Sequence, residues 1–157
     1  MKKLSRAALA MFLAMGLSGI ANAANPPATG LGEAWPNATD VSANPNWHVY
    51  VFVLGGIKYV QVNDLNGDVL GAIGTSGGQF ITLPIGRFAQ YVSTPQQATA
   101  TTSNAKPTAA PTTVYKDNST AITVTLQSDG SVQLSAKVAI DACNGNPEDC
   151  SGMAKAL

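Results

Sequence analysis

The chain has 157 residues, and the first 23 have the form of a removable export signal, leaving a mature chain of 134, enough for one small domain. Lys2, Lys3 and Arg6 fall inside that signal, so the nine basic and nine acidic residues of the whole become six against nine, a mature net charge of −3. With 11% charged residues and no dense Lys/Arg patch to neutralise phosphates, nucleic acid and anionic membrane surfaces are poor partners.

Residues 1–23 open with a cationic stretch, continue as an uncharged apolar run over 7–20 and close on Ala21-Asn22-Ala23, a small-x-small cleavage site that predicts a cut after Ala23. As a helix such a run covers about 21 Å, short of a bilayer core near 30 Å, so no membrane insertion is expected after cleavage. The first cysteine is Cys143, which leaves no site for lipid attachment behind the apolar run. A periplasmic or secreted bacterial protein is expected.

Residues 24–46 are rich in Pro, Asn, Gly and Ala and read as an extended arm. Trp47-His-Val-Tyr-Val-Phe-Val-Leu54 is then the densest β signal in the chain, ended by Gly55-Gly56. Trp47, Val49, Val51 and Val53 share one face and His48, Tyr50, Phe52 and Leu54 the other, both apolar. Such a strand belongs in the middle of a sheet, or in a sheet whose outer face meets something else. A hairpin follows over 57–72. With a three-residue loop, Leu65-Asn66-Gly67, Val62 faces Leu70 and Val60 faces Ala72; a two-residue Asn66-Gly67 turn sets Val62 against Gly71 and Val60 against Ile73. The first register packs more uniformly and is preferred. Residues 74–78 form a glycine-rich turn, and 79–83 and 87–92 two more short strands split by Pro84 and Gly86.

Of the 21 residues from Ser93 to Thr113, seven are Thr, five Ala and three Pro, which predicts a flexible linker whose ends lie about 25 Å apart as a random coil. Residues 121–140 then predict a second hairpin. A Ser128-Asp129-Gly130 loop pairs Leu126 with Val132, Val124 with Leu134 and Ile122 with Ala136, an apolar face that must cover something. In the turn-rich C-terminal segment, Cys143 and Cys150 are expected to form a local disulfide worth about 2–3 kcal/mol, consistent with export. The β-rich blocks 47–92 and 114–157 are each too small to stand alone and should complete one domain. The expected fold is all-β, a small sandwich or partly open barrel of about six or seven antiparallel strands.

Chemistry is sparse. Gly74-Thr75-Ser76-Gly77-Gly78 matches the Gly-x-Ser-x-Gly of nucleophile elbows, but the residues after it are strand-like, whereas an elbow runs into a helix. A hydrolase built on Ser76 therefore ranks third among the functional expectations. Asp64, Asn66 and Asp68 resemble the opening of a calcium loop, yet the sixth position is Val69 and the twelfth Thr75, so an EF-hand is ruled out; the facing Asp64 and Asp68 are expected to be solvated, with a weak surface Ca²⁺ site as the lesser alternative. His48 is the sole histidine, too few for a Cys/His zinc site, and no cofactor is implied. The positive lead is aromatic: Trp47, Tyr50, Phe52 and Tyr59 lie on or beside a strand with more apolar surface than a small sheet can cover. The leading expectation is a non-enzymatic protein that binds a protein or other envelope macromolecule, as an inhibitor, immunity or accessory module. The alternative is a structural or surface-assembly subunit that pairs strand edges.

Overall fold

The computed structural model describes residues 27–100 and 104–139; the expected signal and the Cys143–Cys150 pair lie outside them. Eight strands form two four-stranded sheets that are not closed into a barrel. The first sheet is an antiparallel meander of β1 (His48–Leu54), β2 (Ile57–Asn63), β3 (Val69–Ser76) and β4 (Gln79–Thr82). The second, in the order β5-β8-β7-β6, contains β5 (Val92–Ser93), β6 (Thr112–Lys116), β7 (Thr120–Leu126) and β8 (Val132–Val138). Val49, Val60, Val62, Ile73 and Phe80 from the first sheet share one buried cluster with Val114, Ile122, Val124, Leu134 and Ala136 from the second. This shared core makes the two β-rich blocks parts of one sandwich.

The first sheet departs from expectation in two ways. β1 is an edge strand, not the middle strand of the first of the two alternatives, and its second apolar face is met only in part, by the arm and not by another sheet. The β2–β3 loop is the expected Leu65-Asn66-Gly67, closed by Asp64 N–H to Asp68 C=O (3.0 Å) and Gly67 N–H to Asp64 C=O (3.1 Å). Beyond it the preferred register fails: Asn63 faces Val69, but Val62 faces Gly71 and Val60 faces Ile73. Leu70 is an extra residue, a β-bulge that shifts everything after it by one position. Its cause lies in the chain that returns from β4. Arg87 N–H donates to Val69 C=O and Phe88 N–H to Leu70 C=O, both at 2.9 Å, so this part of β3 is paired with residues 86–88 instead of a fourth strand.

In the second sheet the β7–β8 hairpin has the expected register throughout, from Leu126 opposite Val132 to Ile122 opposite Ala136. Residues 87–92, expected as a strand, instead form a turn and a 3-10 segment at Ala89–Tyr91, and only Val92–Ser93 is extended. That short strand runs parallel to β8, which corrects the expectation of purely antiparallel pairing. The Thr/Ala/Pro-rich stretch is tied at both ends: Gln96 Oε1 accepts the Phe80 N–H and Gln97 Oε1 the Thr82 hydroxyl, Lys106 exchanges hydrogen bonds with Ser128, Thr108 N–H donates to Leu126 C=O, and β6 already begins at Thr112.

Irregular chain closes the sides of the sandwich. On one side the arm spans both sheets, with Val41 N–H donating to Val49 C=O of β1 and Ala43 N–H to Val114 C=O of β6, each at 2.8 Å. Across the core mouth, Lys58 of β2 pairs with Asp117 in the β6–β7 loop, which also accepts the Tyr115 hydroxyl (2.7 Å) and the N–H groups of Ser119 and Thr120. Burial acts to raise the Asp117 carboxyl, but these donors outweigh it and hold it well below the usual carboxylate range; burial, then the bond to Asp117, pushes the Tyr115 hydroxyl up.

Two predictions follow from this packing. At Gly86, with φ +100°, an added Cβ would stand 2.5–2.6 Å from the Leu70 and Gly71 backbone, whereas at Gly130, with φ +80°, it meets nothing. Gly130→Ala should cost about 1–2 kcal/mol for the left-handed backbone alone, and Gly86→Ala about 3 kcal/mol or more, compared by denaturant midpoint. Equal losses would mean that the close approach of residues 86–88 does not set the bulge. The second concerns Asp117. Its folded pKa lies below its ordinary 3.8, so its contribution is present above that value and is lost as pH falls below it. The thermal midpoint should therefore drop more between about pH 7 and about pH 3 in the wild type than in Asp117→Asn.

Candidate functional site

Strand alternation and pairing fix which side chains share the outer face of the first sheet. His48 lies opposite Asn63, Tyr50 opposite Gln61 and Phe52 opposite Tyr59; Tyr59 in turn lies opposite Gly74, and Gly74 opposite Ile81. The arm covers the end of this face nearest His48. Gln61 and Asn63, both fully buried, take it in hand: Gly32 N–H donates to Gln61 Oε1 (2.6 Å), Gln61 Nε2 donates to Glu33 C=O (2.8 Å), and Asn63 Nδ2 donates to Ala34 C=O (2.8 Å). The two amides also bond each other, Gln61 Nε2 to Asn63 Oδ1 at 2.9 Å. Trp35 rests on Gly67, where a Cβ would come within 2.7 Å of the indole, and meets His48 edge-on at 5.4 Å.

The opposite end of the face is bare. Leu54 is 50% exposed and Ile81 52%, with the half-buried Tyr59 between them. Tyr59 and Ile81 close over Gly74, whose missing side chain leaves them room: a Cβ there would lie 2.9 Å from Ile81 and 3.3 Å from Tyr59. Beside them on the β1 edge, Val53 is 64% exposed. Leu54, Tyr59 and Ile81 make an apolar strip at the hairpin end of the outer face, while the Val53 side chain points to the other face of the sheet.

Of the four aromatic residues singled out from the sequence, Tyr59 alone lies in this strip. Trp47 is half-buried against the core, and Tyr50 and Phe52 are buried at 5% and 1% exposure, Tyr50 beside the arm and Phe52 between the arm and the strip. Leu54 and Ile81 were missed because their partnership depends on register across four strands. The one available signal was the two glycine-closed hairpins, Gly55-Gly56 and Gly77-Gly78, which bring both residues to the same end of the sheet.

The polar candidates do not converge. His48 Nδ1 is 2.7 Å from Asp40 Oδ2, while Asp40 Oδ1 accepts the N–H groups of Val49 and Ser42, both at 2.9 Å. Burial works against the Asp40 carboxylate, yet these bonds keep its pKa lowered, and burial followed by the Asp40 charge raises Tyr50. This cluster latches the arm to the β1 edge. Ser76 stands at the far end of the sheet: His48 is level with Asn63 and Val69, and β3 runs on from Val69 about 20 Å to Ser76 at roughly 3.3 Å per residue. Gly77-Gly78, with φ of +57° and +79°, simply form the two-residue β3–β4 turn. Asp64 Oδ1 accepts the N–H groups of Asn66 and Asp68 (2.9 Å each), and Asp68 pairs with Arg87 at 2.8 Å, so the like charges at the loop are met by donors of the chain itself. Among the described residues there is no group of three or more His, Cys, Asp or Glu placed to hold a metal, and no helix long and apolar enough to cross a membrane. Compared with known proteins, the chain matches no family model, no curated protein and no solved structure.

Proposed function

We propose that this is a non-enzymatic, exported binding protein of the bacterial envelope or exterior, an inhibitor, immunity factor or accessory module that holds a macromolecular partner at the hairpin end of its first sheet. The observation that carries this reading is the strip of Leu54, Tyr59 and Ile81, left uncovered among the described residues on the same face that the arm buries elsewhere. A small β-protein that spends a whole segment on covering half of an apolar face, and leaves the rest open, has a use for the open half. The dispersal of Ser76, His48 and the aspartates supports a role without bond-breaking chemistry.

A second reading, a surface-assembly subunit, draws on the β1 edge at Val53, which no described arm residue accompanies. Such a subunit should polymerise on concentration, whereas a binder should elute from size exclusion as a discrete species. The binding reading is tested by affinity capture of the tagged mature chain from periplasm and medium. Partners recovered with the wild type should be lost with a Leu54→Asp/Ile81→Asp variant, a cost of about 2 kcal/mol or more at a contact anchor. Both positions are about half exposed, so circular dichroism should show an intact fold. If the variant retains every partner while Ser76→Ala abolishes activity, the enzyme reading replaces this one.

A further inference from the structure

The β1 edge narrows the class of partner. The arm pairs with this edge at Val49 and Tyr50 and then turns away at Thr39, so that among the described residues the strand has no neighbour on that side beyond Val51. Because Val49 offers its N–H and C=O outward to Asp40 and Val41, the two-residue pleat makes Val51 and then Val53 do the same. Among the described residues two other edges are met and the third is short: Phe80 N–H of β4 donates to the Gln96 side chain, β6 receives Ala43, and β5 is only two residues long. Where the arm leaves the edge it encloses an open groove of about 490 Å³, lined by Ala28, residues 36–39, Val41 and Val51, without a charged side chain. That volume is within the range of ligand-sized pockets and large enough for one side chain. An uncharged apolar edge left open is a pairing template that proteins ordinarily blunt with lysine, proline or a bulge, and none of these stands at Val51–Leu54.

Resting on the binding reading above, we propose that the partner segment is an extended, uncharged, apolar stretch of another protein, added as a strand along β1 from Val51 to Leu54, in line with the arm, with one side chain in the groove. A second copy of this chain fits less well. Two β1 edges could meet only at Val53 without displacing the arms, and each would then bring the side-chain-free turn Gly55-Gly56 to the other's groove, leaving it unfilled.

The test uses the intact mature protein and an end-capped peptide of alternating Val and Thr, with the same peptide N-methylated on alternate residues as a control, followed by calorimetry. The expected result is saturable binding that N-methylation weakens at least tenfold, that Val53→Lys weakens similarly, and that Ala38→Phe, which fills the groove, also reduces. The N-methyl control needs no change in the protein, so it holds even if a variant misfolds. Equal binding of the two peptides overturns strand addition while leaving the apolar strip as a contact surface. Concentration-dependent dimerisation abolished by Val53→Lys, with no peptide binding, overturns the proposal in favour of self-pairing. Capture that fails for Leu54→Asp/Ile81→Asp but is unaffected by Val53→Lys and Ala38→Phe also overturns it, with the binding reading intact.

Discussion

Two amide side chains, Gln61 and Asn63, sit fully buried on the outer face of a β-sheet, and much of the molecule is arranged to satisfy them. An amide removed from water without partners costs about 1–3 kcal/mol in a protein, so each donor and acceptor must be met by something the chain supplies. The arm supplies it with backbone groups at Gly32, Glu33 and Ala34. These contacts are polar and directional, which fixes where the arm crosses the sheet. The arm's own large apolar side chains contribute less: Trp35 is 59% exposed and Val41 43%. The arm is therefore positioned by hydrogen-bond satisfaction, and the part of the face it does not reach is the apolar strip.

The same economy runs around the sandwich. A domain of this size has few strands with which to close its sides, and it uses irregular chain in their place. Residues 86–88 pair with the length of β3 that β4 does not reach, Ala43 meets β6, and the Asp117 loop reaches Lys58 across the mouth. Edges that would attract foreign strands are thereby occupied or shortened. Among the described residues the end of β1 is left without such a neighbour, and it adjoins both the groove and the strip. The proposed strand-addition partner rests on that conjunction.

How much of this was legible in the sequence depended on how local the cause was. The β7–β8 hairpin could be registered from Ser128-Asp129-Gly130 and its flanking residues because loop and side-chain alternation agree within one short segment. The Leu65-Asn66-Gly67 loop was legible for the same reason, but the register beyond it was not, since the bulge at Leu70 is imposed by residues 86–88 from a distant part of the chain. The short parallel strand at Val92–Ser93 belongs to the same class of non-local effect. Tyr50 and Phe52 were marked as a binding surface because the strand had two apolar faces; the arm that buries Tyr50 and shelters that end of the face reads only as Pro, Asn and Gly. Gln61 and Asn63 alternate with valines in a pattern that ordinarily means a solvent-facing side, and nothing nearby in sequence reveals their partners.

The direct test is amide hydrogen exchange, resolved by residue, at Thr29, Gly32, Val41 and Ala43 of the arm and through β7 and β8, in the wild type and a Gln61→Ala/Asn63→Ala variant. If the buried amides hold the arm, Thr29 and Gly32 should exchange many times faster in the variant while β7 and β8 keep their protection. Arm protection unchanged in a folded variant would show that the arm is held by other contacts, and would contradict the account of why the strip is left bare.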